Sequence, residues 1–281
     1  MILALIRLIR IRNCLLAAIS VWLGAYLVYS EASDLSIVMA SIAAALICGA
    51  GNAANDFRDR ESDRINHPER PLPRGDLPMY MALLLAFVFS VMGLLAALMV
   101  NKYVFFITLL SIALLLLYNL LLKELPLVGN LVVALLGGAT FIMGALAGGA
   151  GAAAEVPGAI IPAVFAFLFH FGREIIKDIA DIEGDRAAGL KTTPLIVSSE
   201  AALMVTTIIY VILIISTVLP IWLEWYGLIY GIIVLMLVDI PLLLILFLLW
   251  KSSRPVRFSA AGRYLKFVML PGLAAFLLGK I

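Results

Sequence analysis

Charged side chains are scarce in this sequence. Asp, Glu, Lys and Arg make up 14% of the 281 residues, whereas apolar residues make up 64% and the mean hydropathy is +1.12. In a water-soluble domain roughly a quarter of the residues are charged and about half are apolar. The composition therefore excludes an ordinary soluble domain and indicates that most of the chain lies in lipid.

Cysteine and histidine are almost absent, which limits the chemistry of any metal site. The two cysteines, Cys14 and Cys48, both lie in apolar segments, so a disulfide framework is not expected, and two thiolates cannot form a metal site alone. His67 follows a polar stretch, where contact with solvent explains it. His170 lies in an apolar run, where a place in a cavity wall and a hydrogen-bonded packing role are equally expected. Oxygen atoms are therefore the expected ligands of any metal ion.

Nucleotide-binding and calcium-binding signatures are missing too. The chain contains neither a P-loop nor a G-x-G-x-x-G segment, and no stretch matches the EF-hand pattern. No nucleotide or nucleic-acid partner is therefore expected, and the net charge of +2 does not by itself indicate a partner. Arginines precede the first apolar run, as in a signal peptide. That run ends at "VYSEASD" without a convincing small-residue cleavage site, so we expect it to be retained.

Long apolar runs make up most of the chain. A helix needs about 20 apolar residues to cross the hydrocarbon core of a bilayer. Nine such runs predict an all-α membrane protein that forms one integral-membrane domain over residues 1–281. The runs lie at about 13–30, 36–57, 79–99, 103–122, 127–149, 157–178, 201–223, 227–249 and 261–280. Small residues in "GALAGGAGAAAE", at the end of the fifth run, are expected to allow close helix packing.

Basic residues are distributed unevenly over this predicted topology. When the links between helices are numbered in order, all of the 20 Lys and Arg residues except Lys102 and Lys280 fall on one side. That side contains the N-terminus, the even-numbered links and the adjoining helix ends. The positive-inside rule places it in the cytoplasm. We therefore predict a multi-pass protein of the cell membrane whose N-terminus is cytoplasmic.

Two polar stretches on this predicted cytoplasmic side share one aspartate spacing, D-x2-D-x3-D. The first acidic segment is "NDFRDRESD", residues 55–63, and the second acidic segment is "KDIADIEGD", residues 177–185. Because a helix turns by about 100° per residue, the three aspartates of each segment would lie on one stripe. Their repulsion is tolerable only in water, against arginines or around a cation. Oxygen ligands suit Mg²⁺, which commonly binds one or two carboxylates together with substrate phosphates.

Basic side chains surround both acidic segments. They are Arg58, Arg60, Arg64, Arg70, Arg74, Lys123, Arg173, Lys177, Arg186 and Lys191. Carboxylates for a metal and cations for an anion, at the mouth of a lipid-embedded bundle, indicate a substrate with a polyanionic head and an apolar tail. A prenyl diphosphate has that form. The acidic segments lie four predicted helices apart. Two related four-helix halves, with a ninth helix added, would let them face each other across the bundle.

Other classes of membrane protein also carry acidic motifs. A cation transporter would place ionisable residues near the bilayer midplane, often on broken helices, whereas here Asp239 is the only deep acid. A CDP-alcohol phosphotransferase has a motif that opens with Asp-Gly and includes Ala-Arg, which neither acidic segment does. For Asp239 itself, a functional role and a structural polar cluster at the kink made by Pro241 are both open.

The acidic segments and their flanks resemble those of one family of membrane enzymes. "NDFRDRESD" resembles the N-D-x-x-D-x-x-x-D signature of UbiA-type intramembrane prenyltransferases, and "KDIADIEGD" resembles their second aspartate-rich motif. The stretches "RPLPRG", "GLKTTP" and "LYNLLLKELPLVGN" resemble other parts of the family. Within it, "NAANDFRDRESDRINHPERPLPRG" looks most like the archaeal digeranylgeranylglyceryl phosphate synthases.

That resemblance implies a reaction. It implies magnesium-dependent transfer of a geranylgeranyl group from geranylgeranyl diphosphate to geranylgeranylglyceryl phosphate, a step of archaeal ether-lipid biosynthesis. The implied partners are a prenyl diphosphate donor, a lipid acceptor and membrane lipids. The same fold could instead prenylate an aromatic acceptor in quinone biosynthesis, which is the alternative within the family.

The resemblance also implies a metal site for the acidic segments. Asn55, Asp59 and Asp63 would hold one Mg²⁺ ion and, through it, the donor diphosphate. The second Mg²⁺ ion would be held by the aspartates of the second acidic segment. Those are Asp178 and Asp185, with Asp181 between them. Asp56 would lie behind the ligands rather than among them.

Further residues are expected to bind the substrates. By resemblance, Arg70 and Lys123 lie near the phosphates and Tyr118 lines the prenyl site near the reacting carbon. An acceptor that carries its own phosphate needs further positive charge. The surplus basic residues around the acidic segments supply candidates for that role, namely Arg64, Arg74, Lys177 and Lys191.

Overall fold

The computed structural model describes residues 1–28, 32–251 and 254–280. Over those ranges the secondary structure is helical, without strands, and an isolated β-bridge joins Tyr226 to Lys280. The helices are α1 (Ile2–Leu8), α2 (Ile11–Leu27), α3 (Asp34–Arg58), α4 (Arg60–Asn66), α5 (Met79–Leu98), α6 (Lys102–Leu120), α7 (Val128–Leu146), α8 (Ala150–Ala153), α9 (Ile160–Ala180), α10 (Ile182–Ala187), α11 (Thr193–Ile196), α12 (Ser199–Trp222), α13 (Leu228–Val234), α14 (Ile240–Trp250) and α15 (Pro255–Leu278). A 3₁₀ turn covers Leu122–Glu124, and a π-helical turn, Leu235–Asp239, joins α13 to α14.

Seven helices among the described residues are long and apolar enough to cross a membrane. They are α3, α5, α6, α7, α12, α15 and the continuous helix Leu228–Trp250. Each of them overlaps a predicted run, and the two other runs overlap α2 and α9. α2 has 17 residues, and the predicted end of its run at 29–30 lies outside the described residues. α9 has 21 residues but carries Arg173, Glu174 and Lys177 toward its C-terminal end.

A short helix that the apolar runs did not predict precedes α2. It is α1, and Arg10, between the two helices, has a left-handed backbone (φ 52°, ψ 61°). Ala4 and Leu8, one turn apart on α1, are buried in a cluster with Ala53 and Leu72. The spacing of these two apolar residues is the signal that sequence analysis passed over, because seven residues are too few for a membrane span.

The described helices form two compact units, each assembled from separate stretches of chain. The first unit comprises Met1–Glu124, Ala139–Ile160 and Glu183–Leu190. The second unit comprises Leu125–Gly138, Ile161–Ile182 and Lys191–Ile281. The single domain and the two related four-helix halves stay predictions.

Small side chains let the helices of the first unit approach closely. α3 packs against α2 and α5, and alanines of α3 and α5 form much of the core there. Gly144 of α7 lies so near α2 that a Cβ atom on it would meet the carbonyl oxygen of Val21. Close packing by the small residues at the end of the fifth run is thereby confirmed at Gly144.

Aromatic side chains fill part of the second unit. Tyr210 of α12 is fully buried, and its ring stacks on Phe169 with 6.1 Å between centroids. The same ring lies against Gly172, where a Cβ atom would collide with it. The His170 ring likewise lies against Gly137 and meets Phe169 edge to face at 6.1 Å. These contacts favour a packing role for His170.

Asp239 ends the π-helical turn and is buried. Its Oδ2 accepts a hydrogen bond from Thr217 Oγ1 at 3.0 Å, and the Tyr230 hydroxyl donates to the Thr217 carbonyl at 3.3 Å. Pro241, two residues further on, has no N–H to donate to the preceding turn. The contacts therefore favour the structural alternative for Asp239, a polar cluster at an irregular point of the helix.

Candidate active site

The first acidic segment crosses a break between two helices. α3 ends at Arg58, Asp59 has φ −86° and ψ 3°, and α4 begins at the next residue. The backbone stays hydrogen-bonded across the break, since Asp59 N–H donates to the Asn55 carbonyl and Asp63 N–H donates to the Asp59 carbonyl, both at 2.8 Å. The predicted single helical stripe is thus interrupted at its middle aspartate.

The second acidic segment has the same construction. α9 ends at Ala180, Asp181 N–H donates to the Lys177 carbonyl at 3.0 Å, and α10 begins at Ile182. The middle aspartate of each D-x2-D-x3-D segment therefore lies where a long helix gives way to a short one. The shared spacing of the two sequences corresponds to a shared backbone feature.

Every aspartate of the first acidic segment is buried against a basic side chain. Asp56, Asp59 and Asp63 are 2%, 8% and 3% exposed. Arg10 Nη2 lies 2.5 Å from Asp56 Oδ1, and Lys123 pairs with Asp59. Arg70 Nη1 donates to both carboxylate oxygens of Asp63 at 2.6 Å. Buried charges are tolerated when they are paired in this way.

Lys123 brings the predicted amide and carboxylate ligands together. Its ammonium donates to Asn55 Oδ1 at 3.2 Å as well as to Asp59. It also lies 5.9 Å from the centroid of the Tyr118 ring, over its face. The short turn that carries Lys123 is fastened to α3, because Arg58 pairs with Glu124. The ammonium thus shows that Asn55 and Asp59 converge on a point that a cation can occupy.

Arg70 reaches Asp63 from the turns that follow α4. Arg70 N–H donates to the His67 carbonyl at 3.0 Å, and the next two residues, Pro71 and Leu72, are buried. Burial raises the pKa of the Asp63 carboxyl above its usual range, although the neighbouring Arg70 guanidinium opposes that rise. Arg70 is therefore the contact that favours the charged form of Asp63.

Asp185, the last aspartate of the second acidic segment, belongs to the first unit and is 7% exposed. Its neighbour Gly184 donates its N–H to Asn66 Oδ1 at 2.9 Å. A Cβ atom at Gly184 would collide with Asn66 and with the Ser62 carbonyl. α10 is thus docked closely on α4, the helix that carries Asp63.

Asp178 is held by residues that sequence analysis did not single out. Asn130 Nδ2 donates to Asp178 Oδ2 at 2.8 Å. Thr193 Oγ1 accepts a hydrogen bond from Leu127 N–H at 2.8 Å and lies 3.3 Å from Asn130 Oδ1. Asn130 and Thr193 lie in "LYNLLLKELPLVGN" and "GLKTTP", so the resemblance of those stretches to family segments was the available signal.

The predicted acceptor-binding residues have acidic neighbours or face solvent. Glu174 holds Lys177 at 2.9 Å and Arg173 at 2.6 Å. The exposed Arg64 and Arg74 pair with Glu61 at 2.9 Å and with Asp76 at 3.4 Å, respectively. Lys191 is exposed. These positions leave their predicted role in acceptor binding open.

The donor set of the first acidic segment suits a hard cation. Among the described residues, no three His, Cys, Asp or Glu side chains lie together in a metal-binding arrangement. Asn55 and Asp59 instead share the Lys123 ammonium, and Asp63 holds Arg70. Amide and carboxylate oxygens that already surround a cation fit Mg²⁺, provided that the basic side chains move aside.

The sequence and the fold both match known proteins. The model of the UbiA prenyltransferase family matches residues 17–270. The chain is 34% identical to digeranylgeranylglyceryl phosphate synthase from Thermococcus kodakarensis over 279 residues, which cover 99% of this chain and 98% of the relative. It is 36% identical to the enzyme of that name from Pyrococcus abyssi over 284 residues, covering 99% and 97% of the two chains.

Solved structures agree with this likeness. A structure of digeranylgeranylglyceryl phosphate synthase superposes with a TM-score of 0.72 at 30% identity, covering 99% of this chain and 98% of the other. A UbiA homologue from Archaeoglobus fulgidus, bound to DMAPP and Mg²⁺, has a TM-score of 0.66 at 22% identity, with 97% and 98% covered. That second likeness concerns the fold alone. Because the family model and the relatives match nearly the whole chain, the protein belongs to the UbiA prenyltransferase family.

Proposed function

We propose that this protein transfers a geranylgeranyl group from geranylgeranyl diphosphate to geranylgeranylglyceryl phosphate in ether-lipid biosynthesis. The bond between the allylic carbon and the diphosphate oxygen breaks, and the electron pair leaves with the diphosphate. A new bond then forms between that carbon and the acceptor hydroxyl oxygen, and the hydroxyl proton is released. The relatives that match this chain over nearly their whole length carry the name of this synthase.

One observation carries the proposal: the buried carboxylates of the first acidic segment are paired with basic side chains that are not part of that segment. Lys123 and Arg70 hold Asp59 and Asp63. A substrate that arrives as a metal ion with a diphosphate supplies both charges at once, positive for the carboxylates and negative for Lys123 and Arg70. A cation alone or an anion alone would leave half of these charges unmatched.

We propose that the acidic segments hold two Mg²⁺ ions. Asn55, Asp59 and Asp63 would hold one ion, and Asp178, Asp181 and Asp185 would serve the other. Bound magnesium neutralises charge on the leaving diphosphate. Asn130 keeps the Asp178 carboxylate in place by donating to it at 2.8 Å.

The same proposal gives roles to the neighbouring cations and to one aromatic ring. Lys123 and Arg70 would turn to the donor diphosphate and stabilise its charge as it leaves. The Tyr118 ring already lies beneath a cation, the Lys123 ammonium, at 5.9 Å. Its face suits the positive charge that develops on the allylic carbon nearby.

The acceptor needs additional cations because it carries a phosphate of its own. Arg64, Arg74, Lys177 and Lys191 are our candidates to bind that phosphate. Each is exposed or partly exposed. The exposed acidic partners of Arg64 and Arg74 would exchange them with an arriving phosphate at moderate cost, since surface ion pairs contribute little. Lys177 would have to leave the buried Glu174, which would keep Arg173 as its partner.

The membrane arrangement completes the proposal. α2 and α9 would cross the bilayer together with the seven candidate spans, giving nine helices in one domain built from two related halves and an added helix. Both acidic segments and the N-terminus would face the cytoplasm, as the distribution of basic residues indicates. The apolar tails of both substrates would then lie among the helices or in the surrounding lipid.

The test uses the purified full chain with labelled geranylgeranyl diphosphate and Mg²⁺. The acceptors are geranylgeranylglyceryl phosphate, its dephosphorylated form and 4-hydroxybenzoate. We expect the phosphorylated lipid to be preferred over the dephosphorylated one by at least about tenfold, a difference of about 1.4 kcal/mol and modest for a charge-assisted contact. Excess chelator should abolish transfer.

A set of variants locates the acceptor phosphate. Arg64→Gln, Arg74→Gln, Lys177→Gln and Lys191→Gln are compared with Arg257→Gln, which changes an exposed arginine in the first turn of α15. At least one of the four should lose the preference for the phosphorylated acceptor while donor KM stays unchanged, and the Arg257 variant should keep it. Clear preference for 4-hydroxybenzoate, or equal use of both lipids, would contradict the proposed acceptor.

A further inference from the structure

We infer that Arg10 is a positioning residue for the active site: it is the permanent counter-ion of Asp56, and it thereby keeps Arg70 available for Asp63 and for the donor diphosphate. This inference rests on the proposed function, since it assigns the diphosphate to Arg70. Arg10 lies outside both acidic segments, in the connection between α1 and α2.

The connection is fastened to α3 at two neighbouring points. Asn52 Nδ2 donates to the Ile9 carbonyl at 2.9 Å, and Arg10 Nη2 donates to Asp56 Oδ1 at 2.5 Å. Asn52 and Asp56 are four residues apart on α3, so they lie on one face of that helix. The Asn52 contact fixes the backbone of the connection, and the Arg10 side chain extends from that backbone to Asp56.

The backbone of Arg10 indicates that its position is imposed by these contacts. A φ of 52° is left-handed, a conformation that a side chain with a Cβ atom rarely adopts. The connection is also bonded to the start of α2, since Asn13 N–H donates to the Arg10 carbonyl at 2.7 Å. The burial of Leu8 anchors α1, so the backbone on both sides of Arg10 is fixed while its side chain contacts Asp56.

The charges around Asp56 explain why this placement matters for catalysis. Asp56 is 2% exposed, and Arg70 Nη1 lies 3.6 Å from the same Oδ1 atom that Arg10 contacts. Arg70 also holds both oxygens of Asp63 at 2.6 Å. Two buried carboxylates therefore adjoin Arg70, and Arg10 neutralises one of them. Without Arg10, Asp56 would be buried without its own cation, and Arg70 would be drawn to it.

The experiment separates this charge balance from a general effect on folding. Arg10→Gln, Arg10→Lys and the double variant Arg10→Gln with Asp56→Asn are purified as full chains. Arg12→Gln is the matched control, because Arg12 lies two residues away, is exposed and has no place in the site. Donor KM, acceptor KM and kcat are measured, together with calorimetric binding of inorganic pyrophosphate in the presence of Mg²⁺ and the melting temperature.

We expect Arg10→Gln to raise donor KM and to weaken pyrophosphate binding by about tenfold or more, with a smaller change in acceptor KM. Arg10→Lys should restore part of the loss, because it returns the charge. The double variant should return donor KM to within about threefold of the unchanged protein, because removing the Asp56 charge removes the need for Arg10. Arg12→Gln should leave donor KM unchanged.

Other outcomes would overturn the inference. An Arg10→Gln variant with unchanged donor KM and pyrophosphate binding would exclude a positioning role. A double variant as impaired as Arg10→Gln would show that the contact serves folding alone. If the unchanged protein binds pyrophosphate but transfers no prenyl group, the proposed function fails while the pyrophosphate measurements still decide the role of Arg10.

Discussion

Asp59 is the middle aspartate of the first acidic segment, whereas Asp178 is the first aspartate of the second. Asp59 lies at the break between α3 and α4 and is held by an ammonium, whereas Asp178 lies within α9 and is held by an amide. A charged partner must leave Asp59 before a metal ion can bind, while the Asn130 amide can stay. Metal binding by the first acidic segment is therefore expected to displace the Lys123 ammonium from Asp59.

Removing either carboxylate should abolish most of the activity without unfolding the protein. We expect Asp59→Ala and Asp178→Ala each to lower kcat by about a hundredfold or more, the loss typical of removing charge stabilisation in a transition state. Purified variants are assayed for transfer and their melting temperatures are compared.

The matched controls are the acidic residues that face solvent on the adjoining short helices. Glu61 of α4 and Glu183 of α10 are both exposed, so Glu61→Gln and Glu183→Gln should retain activity within about threefold. If an aspartate variant were as active as the glutamate variant of the same region, that acidic segment would be a solvated helix end without a role in catalysis.

At the scale of residues, the sequence singled out carboxylates that the structure buries in the first acidic segment, but only some of their partners. Lys123 and Arg70 were expected near the phosphates, and the structure puts them on Asp59 and Asp63. Arg10 and Asn130 were not singled out. Their partners lie 46 and 48 positions away in the chain, and no local pattern reports a contact of that kind.

At the scale of elements, apolar length predicted where the long helices run but not where they break. The runs around 36–57 and 157–178 correspond to α3 and α9, but the predicted aspartate stripes assumed uninterrupted helices, whereas each acidic segment has a break at its middle aspartate. Aspartate is a poor residue for a helix interior because its side chain competes for backbone hydrogen bonds. Asp59 and Asp181 lie where the helices end, which a reading based on hydropathy does not detect.

The short helix α11 illustrates how an element outside the membrane spans supports the site. Its first residue, Thr193, accepts a hydrogen bond from Leu127 N–H, and Leu127 has a left-handed φ of 64°. The same hydroxyl lies 3.3 Å from the amide of Asn130, which in turn donates to Asp178. α11 thus fixes the start of α7, and α7 fixes a predicted metal ligand.

Thr193→Val should therefore destabilise the protein and lower its activity. The change keeps the shape of the side chain but leaves the Leu127 N–H without its acceptor, at a cost of about 1–3 kcal/mol for a buried group. We expect a lower melting temperature and slower transfer, because Asn130 loses its support. Thermal unfolding and transfer assays on the same preparations measure both effects.

Thr192→Val is the matched control for Thr193→Val, because it makes the same change at the neighbouring residue. Thr192 is also buried, at 5% exposed, but its hydroxyl has no hydrogen-bond partner among the residues that the structure describes. Replacing it should leave the melting temperature unchanged or raise it, since a polar group without a partner is removed. Equal effects of the two substitutions would mean that the Thr193 hydroxyl has no special role.

At the scale of the whole molecule, composition predicted the class of protein with little ambiguity. An all-helical membrane fold follows from apolar runs, and seven candidate spans among the described residues agree with it. Whether α9 crosses the membrane is harder to predict, because its C-terminal part carries Arg173, Glu174 and Lys177. Charged residues near one end of an apolar helix lower its mean hydropathy, so apolarity alone does not decide whether α9 is a membrane span.

The orientation in the membrane is the prediction on which the whole arrangement depends. Both acidic segments must reach the same compartment if they serve one diphosphate, and all of the Lys and Arg residues except Lys102 and Lys280 were assigned to that side. In a background without Cys14 and Cys48, we expect Glu61→Cys and Glu183→Cys to react with a membrane-impermeant maleimide only after cells are permeabilised. Lys102→Cys, at an exposed residue on the opposite side, should react in intact cells. Labelling of both acidic segments from outside would reverse the predicted topology. Labelling of one segment without the other would contradict a shared active site, because a single diphosphate cannot bridge the two faces of a bilayer about 30 Å thick.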